Sequence, residues 1–256
     1  MKVITYQGDQ EWSVAKIIPL ADFHIGDRNC DMQLIKRLLD EVKETPNMLC
    51  TLSGDLIDAA VKQSVGDTYG ATLSPMEQLK RCTELFADIA DKVICIHGGN
   101  HESRVYKQDG IDLTEMMAIQ LGIEERYSPT TAFVFLEFGH RHHGTFSRYS
   151  IYSTHGTRGG RKEGAKAIQL ADLASIVDAD VYICAHTHLP MSFKEAFYRV
   201  DPTHRTVKKT TKLFVNTAAA LDYGGYGDKS GFKPSALEYP IIELCDKNDP
   251  KMRCIL

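Results

Sequence analysis

Three times in the first hundred residues an apolar run ends in a short polar tip. The run WSVAKIIPLADFHIGD, residues 12–27, stays apolar until it breaks at Asp22, Gly26 and Asp27. NMLCTLSGDLID, residues 47–58, ends in Gly54 and Asp55, and KVICIHGGNHESR, residues 92–104, ends in Asn100 and His101. A helix is expected after the first tip, where Met32, Leu34, Ile35, Leu38, Leu39 and Val42 recur at three- and four-residue spacing. The segment SPMEQLKRCTELFADIAD then reads as a second helix, with Ser74 and Pro75 as cap and first turn. Repeated strand, tip and helix limits the chain to an α/β architecture, a sheet layered between helices with its reactive side chains at strand C-termini.

The rest of the chain extends the pattern. A helix is expected near DLTEMMAIQLG; TAFVFLEFG and RYSIYSTHG read as a hairpin around the polar HRHHGTFS. The second hairpin strand ends in Thr154, His155 and Gly156, and after the helical KEGAKAIQLADLASIV another strand stops at His186, Thr187 and His188. SFKEAFYRVD, TVKKTTKLFVNTAA and YPIIELCD read as antiparallel strands. With no linker, repeat or low-complexity tract, residues 1–256 are expected to form a single domain of two facing sheets. No stretch reaches the roughly 20 apolar residues of a membrane span, and no leader pattern opens the chain, so a soluble, cytoplasmic protein is expected. The seven Cys form no close pairs and several fall in apolar runs, which suits buried reduced thiols. A net charge of −4 argues against coating nucleic acid non-specifically.

The strand tips collect carboxylates, an amide oxygen and imidazoles, the ligand types that hold divalent metals for hydrolysis. Asp22-Phe23-His24 and His186-Thr187-His188 are expected to point alternate side chains the same way, because strand side chains have a period of two. In order, DFH, GDLID, GNHE, THG and AHTH resemble the five signatures of the calcineurin-like metallophosphoesterase superfamily, and FVNTAA resembles the strand and turn that follow them. The chain also resembles phosphoesterases of phages and prophages. The resemblance implies a four-layer α/β fold, a β-sandwich of two mixed sheets flanked by helices, with a dinuclear metal site at strand C-terminal ends. It implies that Asp22, His24 and His188 hold one divalent metal and Asn100, His155 and His186 the other, with Asp55 bridging. A hydroxide between the metals is then the nucleophile, and His101 assists the leaving oxygen. Asp58 is expected to orient the His101 ring. Manganese is the first expectation for the metal, and iron or zinc suits the same ligands.

The sequence departs from the family's phosphoprotein phosphatase branch, whose second signature continues into Asp-Arg-Gly where this chain has GDLIDAAV. Both His of AHTH are those of the nuclease and general phosphoesterase branches, with Ala185 in place of the usual Gly. The expected function is therefore a phosphodiesterase, with nucleic acid as a possible substrate. The alternatives are a phosphomonoesterase acting on a nucleotide, metabolite or phosphoprotein, or a non-catalytic metal-binding scaffold; protein partners are not legible. Arg104, Arg158, Arg161 and Lys162, the last three on the Gly-rich loop after His155 with Lys166 further on, are candidates for holding substrate phosphate. His140, His142 and His143 read as a solvated hairpin tip, His97 as a hydrogen-bonded core residue and His204 as part of a turn. VKQSVGDTYGAT, residues 61–72, is a candidate lid; LDYGGYGDKSGFKP, with Tyr223, Tyr226 and Phe232, is read as a loop packed on the domain, with a base-stacking wall as the alternative.

Overall fold

The computed structural model describes residues 1–61, 70–142, 145–157, 160, 162–229, 231–246 and 251–256. Its strands form two six-stranded mixed sheets. In the first, β1 (Lys2–Gln7) runs parallel to β6 (Thr131–His142), which pairs antiparallel with β7 (Thr145–Thr154). Beside β7 lie β8 (Val181–Cys184) and β10 (Thr206–Asn216), both parallel to it, and then β9 (Met191–Asp201), antiparallel to β10 at the sheet edge. The second sheet has a parallel centre of β2 (Val14–Leu20), β3 (Met48–Ser53), β4 (Val93–His97) and β5 (Tyr127–Ser128). On its other side β11 (Ile241–Cys245) and β12 (Met252–Ile255) add antiparallel pairs. The expected two-sheet sandwich is observed, with one correction: β10 is antiparallel only to β9, because its other neighbour, β8, runs parallel to it.

Every residue of β3 and β4 is buried, which explains why these strands read as continuous apolar runs instead of alternating ones. One face packs under α1 (Met32–Glu44), α2 (Pro75–Phe86) and α4 (Leu113–Gln120), through Leu34, Leu38, Leu79, Phe86 and Met117. The other meets the first sheet, where Ile17, Leu49 and Ile94 lie among Val134, Ile151, Val181 and Val215. Across the outer face of the first sheet lies α5 (Glu163–Asp172), whose Leu170 joins Tyr182 and Phe214. This gives four layers, helix, sheet, sheet and helix. The capping box expected at Ser74 is present, with Glu77 as its partner, and Asp31 caps α1 through the amides of Gln33 and Leu34. Two short helices, α3 (Glu102–Asp109) and α6 (Gly225–Lys229), complete the described elements. All seven Cys are free thiols, and burial pushes Cys95 up to about 12. Among the described residues no helix is long and apolar enough to cross a membrane.

Candidate metal centre

The polar tips after β2, β3, β4, β7 and β8 meet at one end of the sandwich. They are not extended strand, as the period-two argument supposed. Asp22, His24, Asp55, His186 and His188 have φ of 54°, 49°, 51°, 67° and 53°, the left-handed region that side-chain-bearing residues seldom occupy. The consequence is that His186 and His188 part company. His188 joins Asp22 and His24, whereas His186 joins Asp55 and His155.

Local hydrogen bonds hold these turns. Asp22 receives the amide of His186 on Oδ2 at 2.9 Å, and its own backbone lies between Gly54 and Ala220. Asp55 receives the amide of His101 on Oδ1 at 2.8 Å. A carboxylate that the sequence reading passed over does most of the tying: Glu102, at the start of α3, is buried and accepts the amides of Asp55, Leu56 and Gly99 at 3.0, 2.7 and 2.9 Å. The tips after β3 and β4 approach so closely that a Cβ on Gly99 would lie 2.2 Å from Asp55 Oδ1, and one on Gly54 would lie 2.5 Å from the Gly99 nitrogen.

In the first group Asp22 Oδ1 lies 3.3 Å from His188 Nε2 and 3.9 Å from His24 Nε2, and the two ring nitrogens are 3.4 Å apart. Asp22 Oδ1 is buried without a hydrogen bond, an oxygen of the kind a cation satisfies. In the second group His155 Nε2 lies 3.1 Å from both Asp55 Oδ2 and Asn100 Oδ1, with the His186 ring packed edge-on to that of His155. His155 Nδ1 donates to the Ser53 carbonyl at 2.9 Å, which leaves Nε2 as the atom that faces the cluster. All seven residues expected to ligate metal are therefore in the two groups. Their oxygens and imidazole nitrogens fit a pair of divalent cations.

Charge follows geometry. Burial and the neighbouring His101 hold His24 well below its ordinary value, and burial with His155 lowers His186, so both rings are neutral donors. Burial would also lower His155, but the carboxylates Asp55 and Asp22 outweigh it and raise the ring to about 10. Asp55 is held well below the usual carboxylate range: burial opposes this, and His155, His101 and His24 prevail. The carboxylates Asp55 and Asp22 thus favour positive charge at this point.

His101 stands at the mouth. Its Nδ1 donates to the Asp58 carbonyl at 2.7 Å and lies 3.1 Å from Asp58 Oδ1, and its Nε2 is 3.7 Å from Asp55 Oδ2. Burial lowers its pKa, but the hydrogen bond to Asp58 and the charge of Asp55 give a net rise. Arg104 lies against the same ring, each of its terminal nitrogens 3.0 Å from one ring nitrogen, and also reaches the Asp58 carbonyl.

Other expected residues fall further out. Lys162 is exposed at the N-cap of α5, and Arg158 and Arg161 lie outside the described residues. Lys166 does not face the centre freely, because its Nζ is bonded to the Thr187 carbonyl at 2.7 Å and steadies the turn between His186 and His188. His97 is the core residue expected, bonded through Nε2 to Ser153 Oγ at 2.9 Å. His140 is exposed beside Glu11, whereas His143 and the His142 side chain lie outside the described residues, as do 62–69 of the candidate lid. The 222–234 loop docks on the domain as expected, but through its backbone, on Asn29. Tyr223 and Phe232 are exposed, since that contact is made by Gly224, Gly225 and the Asp222 amide and needs no aromatic ring.

A model of the calcineurin-like phosphoesterase family matches residues 15–190. No curated protein is a significant match. Solved structures similar to the chain include a conserved uncharacterised protein from Streptococcus pneumoniae, described as a predicted phosphoesterase, at 14% identity, covering 91% of this chain and 84% of that one with a TM-score of 0.40. Another is wild-type Vps29 from Entamoeba histolytica complexed with zinc, at 14% identity, 94% and 97% coverage and a TM-score of 0.41.

Proposed function

The chain belongs to the calcineurin-like phosphoesterase family, whose members are metal-dependent hydrolases of phosphoesters, and from that premise we propose a phosphodiesterase able to act on nucleic acid. The observation that carries this reading is the convergence of Asp22, His24 and His188 on one point and of Asp55, His155, His186 and Asn100 on another. Asp22, His24 and His188 would hold one divalent cation and Asn100, His155 and His186 the other, with Asp55, which lies against His155, as the carboxylate they would share. When bound, two such ions supply an activated water and neutralise the charge of the phosphate. Manganese is the first choice for assay, and iron or zinc suits the same donors.

The residues divide the remaining work. Ser53 fixes the tautomer of His155, so that its Nε2 serves as a donor atom. Asp58 fixes the His101 ring through Nδ1, so that Nε2, which faces Asp55 at 3.7 Å and Arg104 at 3.0 Å, is the atom to give a proton to the departing oxygen. Arg104, held over that ring, supplies positive charge to a phosphate oxygen. A diester carries one negative charge, whereas a monoester carries nearly two, and the Gly54–Asp58 segment lacks the Arg with which the phosphoprotein branch grips the dianion.

The test is a parallel assay on bis(p-nitrophenyl) phosphate and p-nitrophenyl phosphate, with and without manganese, for the wild type and His101→Asn. Manganese-dependent cleavage of the diester is expected, reduced by about 10²–10⁴ in the variant. Preference for the monoester would replace the diester reading, and an inert protein that holds metal would remove both.

A further inference from the structure

The β9–β10 hairpin is unlike the rest of the molecule in charge. Between Met191 and Asn216 the sequence carries six Lys and Arg residues against Glu195 and Asp201, a surplus of four positive charges in a chain of net −4, so the remainder carries −8. The register places Lys194, Ala196, Tyr198 and Val200 of β9 on one face with Leu213, Thr211, Lys209 and Val207 of β10. Leu213 is buried between the sheets, but the other residues of this face are exposed, Tyr198 at 77%, Val200 at 68% and Val207 at 60%. The hairpin therefore leaves the sandwich as a two-stranded ribbon with one bare face. That face bears Lys194 and Lys209 and no acid.

The charges on the opposite face have partners: Arg199 lies 3.1 Å from Asp178, Lys212 bonds to the same carboxylate, and Lys208 is 4.0 Å from Asp201. Among the described residues no acidic group lies within 4.0 Å of Lys194, Lys209 or, at the tip, Arg205. Lysine on an edge strand can serve to block pairing between copies, which accounts for Lys194 on β9. Lys209 stands on an open edge too, because β8 pairs with β10 only from Leu213 to Asn216, but edge protection does not account for Tyr198, the exposed ring that the register sets directly opposite Lys209. A second copy set against this face would bring like charges together, so the chemistry that fits is anionic with flat apolar surface. Nucleic acid has both. The ribbon also begins in the right place: Met191 is three residues past His188, and eleven extended residues carry β9 about 35 Å away from the centre, roughly ten phosphate spacings of a strand.

We propose that the bare face of the β9–β10 ribbon is a nucleic-acid track, on which Lys194, Lys209 and Arg205 meet phosphates and Tyr198 stacks against a base, leading a strand to the metal centre. The proposal rests on the phosphodiester reading above. Its test is fluorescence anisotropy with a labelled single-stranded DNA 20-mer in EDTA, where binding is read without cleavage, for the wild type, Lys194→Glu with Lys209→Glu, and Tyr198→Ala. Thermal melts of the variants, whose altered side chains are exposed, check that they fold. The double variant is expected to bind more than about tenfold more weakly and to lose about 1.4 from the slope of log affinity against log salt, at roughly 0.7 per phosphate contact. Tyr198→Ala should weaken binding with the slope kept. Folded variants that bind as the wild type does would overturn the proposal, as would a ribbon that ignores DNA and binds polyglutamate through the same lysines. The wild-type rate on bis(p-nitrophenyl) phosphate, measured alongside, separates the two failures: an active enzyme without a DNA track refutes the ribbon alone.

Discussion

A side chain in the left-handed region is crowded against its own carbonyl, at a cost of roughly 1–2 kcal/mol per residue. Asp22, His24, Asp55, His186 and His188 all accept it. Each is held by neighbours that over-determine the turn, such as the His186 amide on Asp22. A different economy operates beneath them. His97, Ser153, Ser53 and Thr51 form a buried polar chain between the sheets, with links of 2.9, 3.1 and 2.8 Å. Burial holds His97 at about 3, helped by His155 and opposed by the Gly98 carbonyl. Below the ordinary value of 6.5 the unfolded chain takes up a proton that the folded chain refuses until about pH 3. Stability contributed by this residue is thus lost as pH falls through that window, at up to about 1.4 kcal/mol per pH unit. Urea midpoints of the wild type and His97→Gln at pH 7 and pH 4.5 check this, with the smaller drop expected in the variant; equal drops would show that the acid sensitivity lies elsewhere.

Among the elements, the close meeting of the turns after β3 and β4 is what aims Asp55. Gly54 and Gly99 leave room for the two backbones, and Glu102 ties them by the amides of Asp55, Leu56, Ile57 and Gly99. Gly99→Ala places a methyl where Asp55 Oδ1 sits, so it should cost about 1–3 kcal/mol of stability as overpacking does, and manganese content should fall with it. Urea unfolding and metal analysis decide the matter; a variant with full stability and full metal content would mean that Asp55 is aimed by something else. These elements also show what could be read from sequence. α1 and α2 were legible because five buried residues of α1 recur at helical spacing and because Ser74, Pro75 and Glu77 open α2 with a cap. α3 was not, since its buried positions are Glu102 and Val105 and a carboxylate leaves no hydrophobic trace. β5 has two residues, and β1 buries only Ile4, too little for a pattern. The candidate ligands were legible as an ordered set of residue types, and their division into two groups came with the family resemblance; the period-two reading alone put His186 and His188 on one side, because nothing in His-Thr-His announces two left-handed residues.

At the scale of the whole molecule the centre joins the sheets. Asp22, His24, Asp55 and Asn100 follow strands of one sheet, and His155, His186 and His188 follow strands of the other. Cations held as proposed would tie the two together, so manganese should raise the melting temperature and EDTA lower it. At a hundredfold excess over the dissociation constant the gain is about 2.7 kcal/mol. His186→Ala should lose most of this response, and an equal response in the variant would place the bound metal elsewhere. The same closure has a consequence in time. β2 is flanked by β3 on one side and by β11 on the other, and the turn at Asp22 is braced by Thr217, which bonds to the Pro19 carbonyl, and by Tyr239, which bonds to the Ala21 carbonyl. These partners lie 198 and 218 residues apart in the chain. On the ribosome, where synthesis proceeds at about 5–20 residues per second, the first tip therefore waits at least about ten seconds for its last braces, and the nascent chain has no finished cation trap until β11 has emerged.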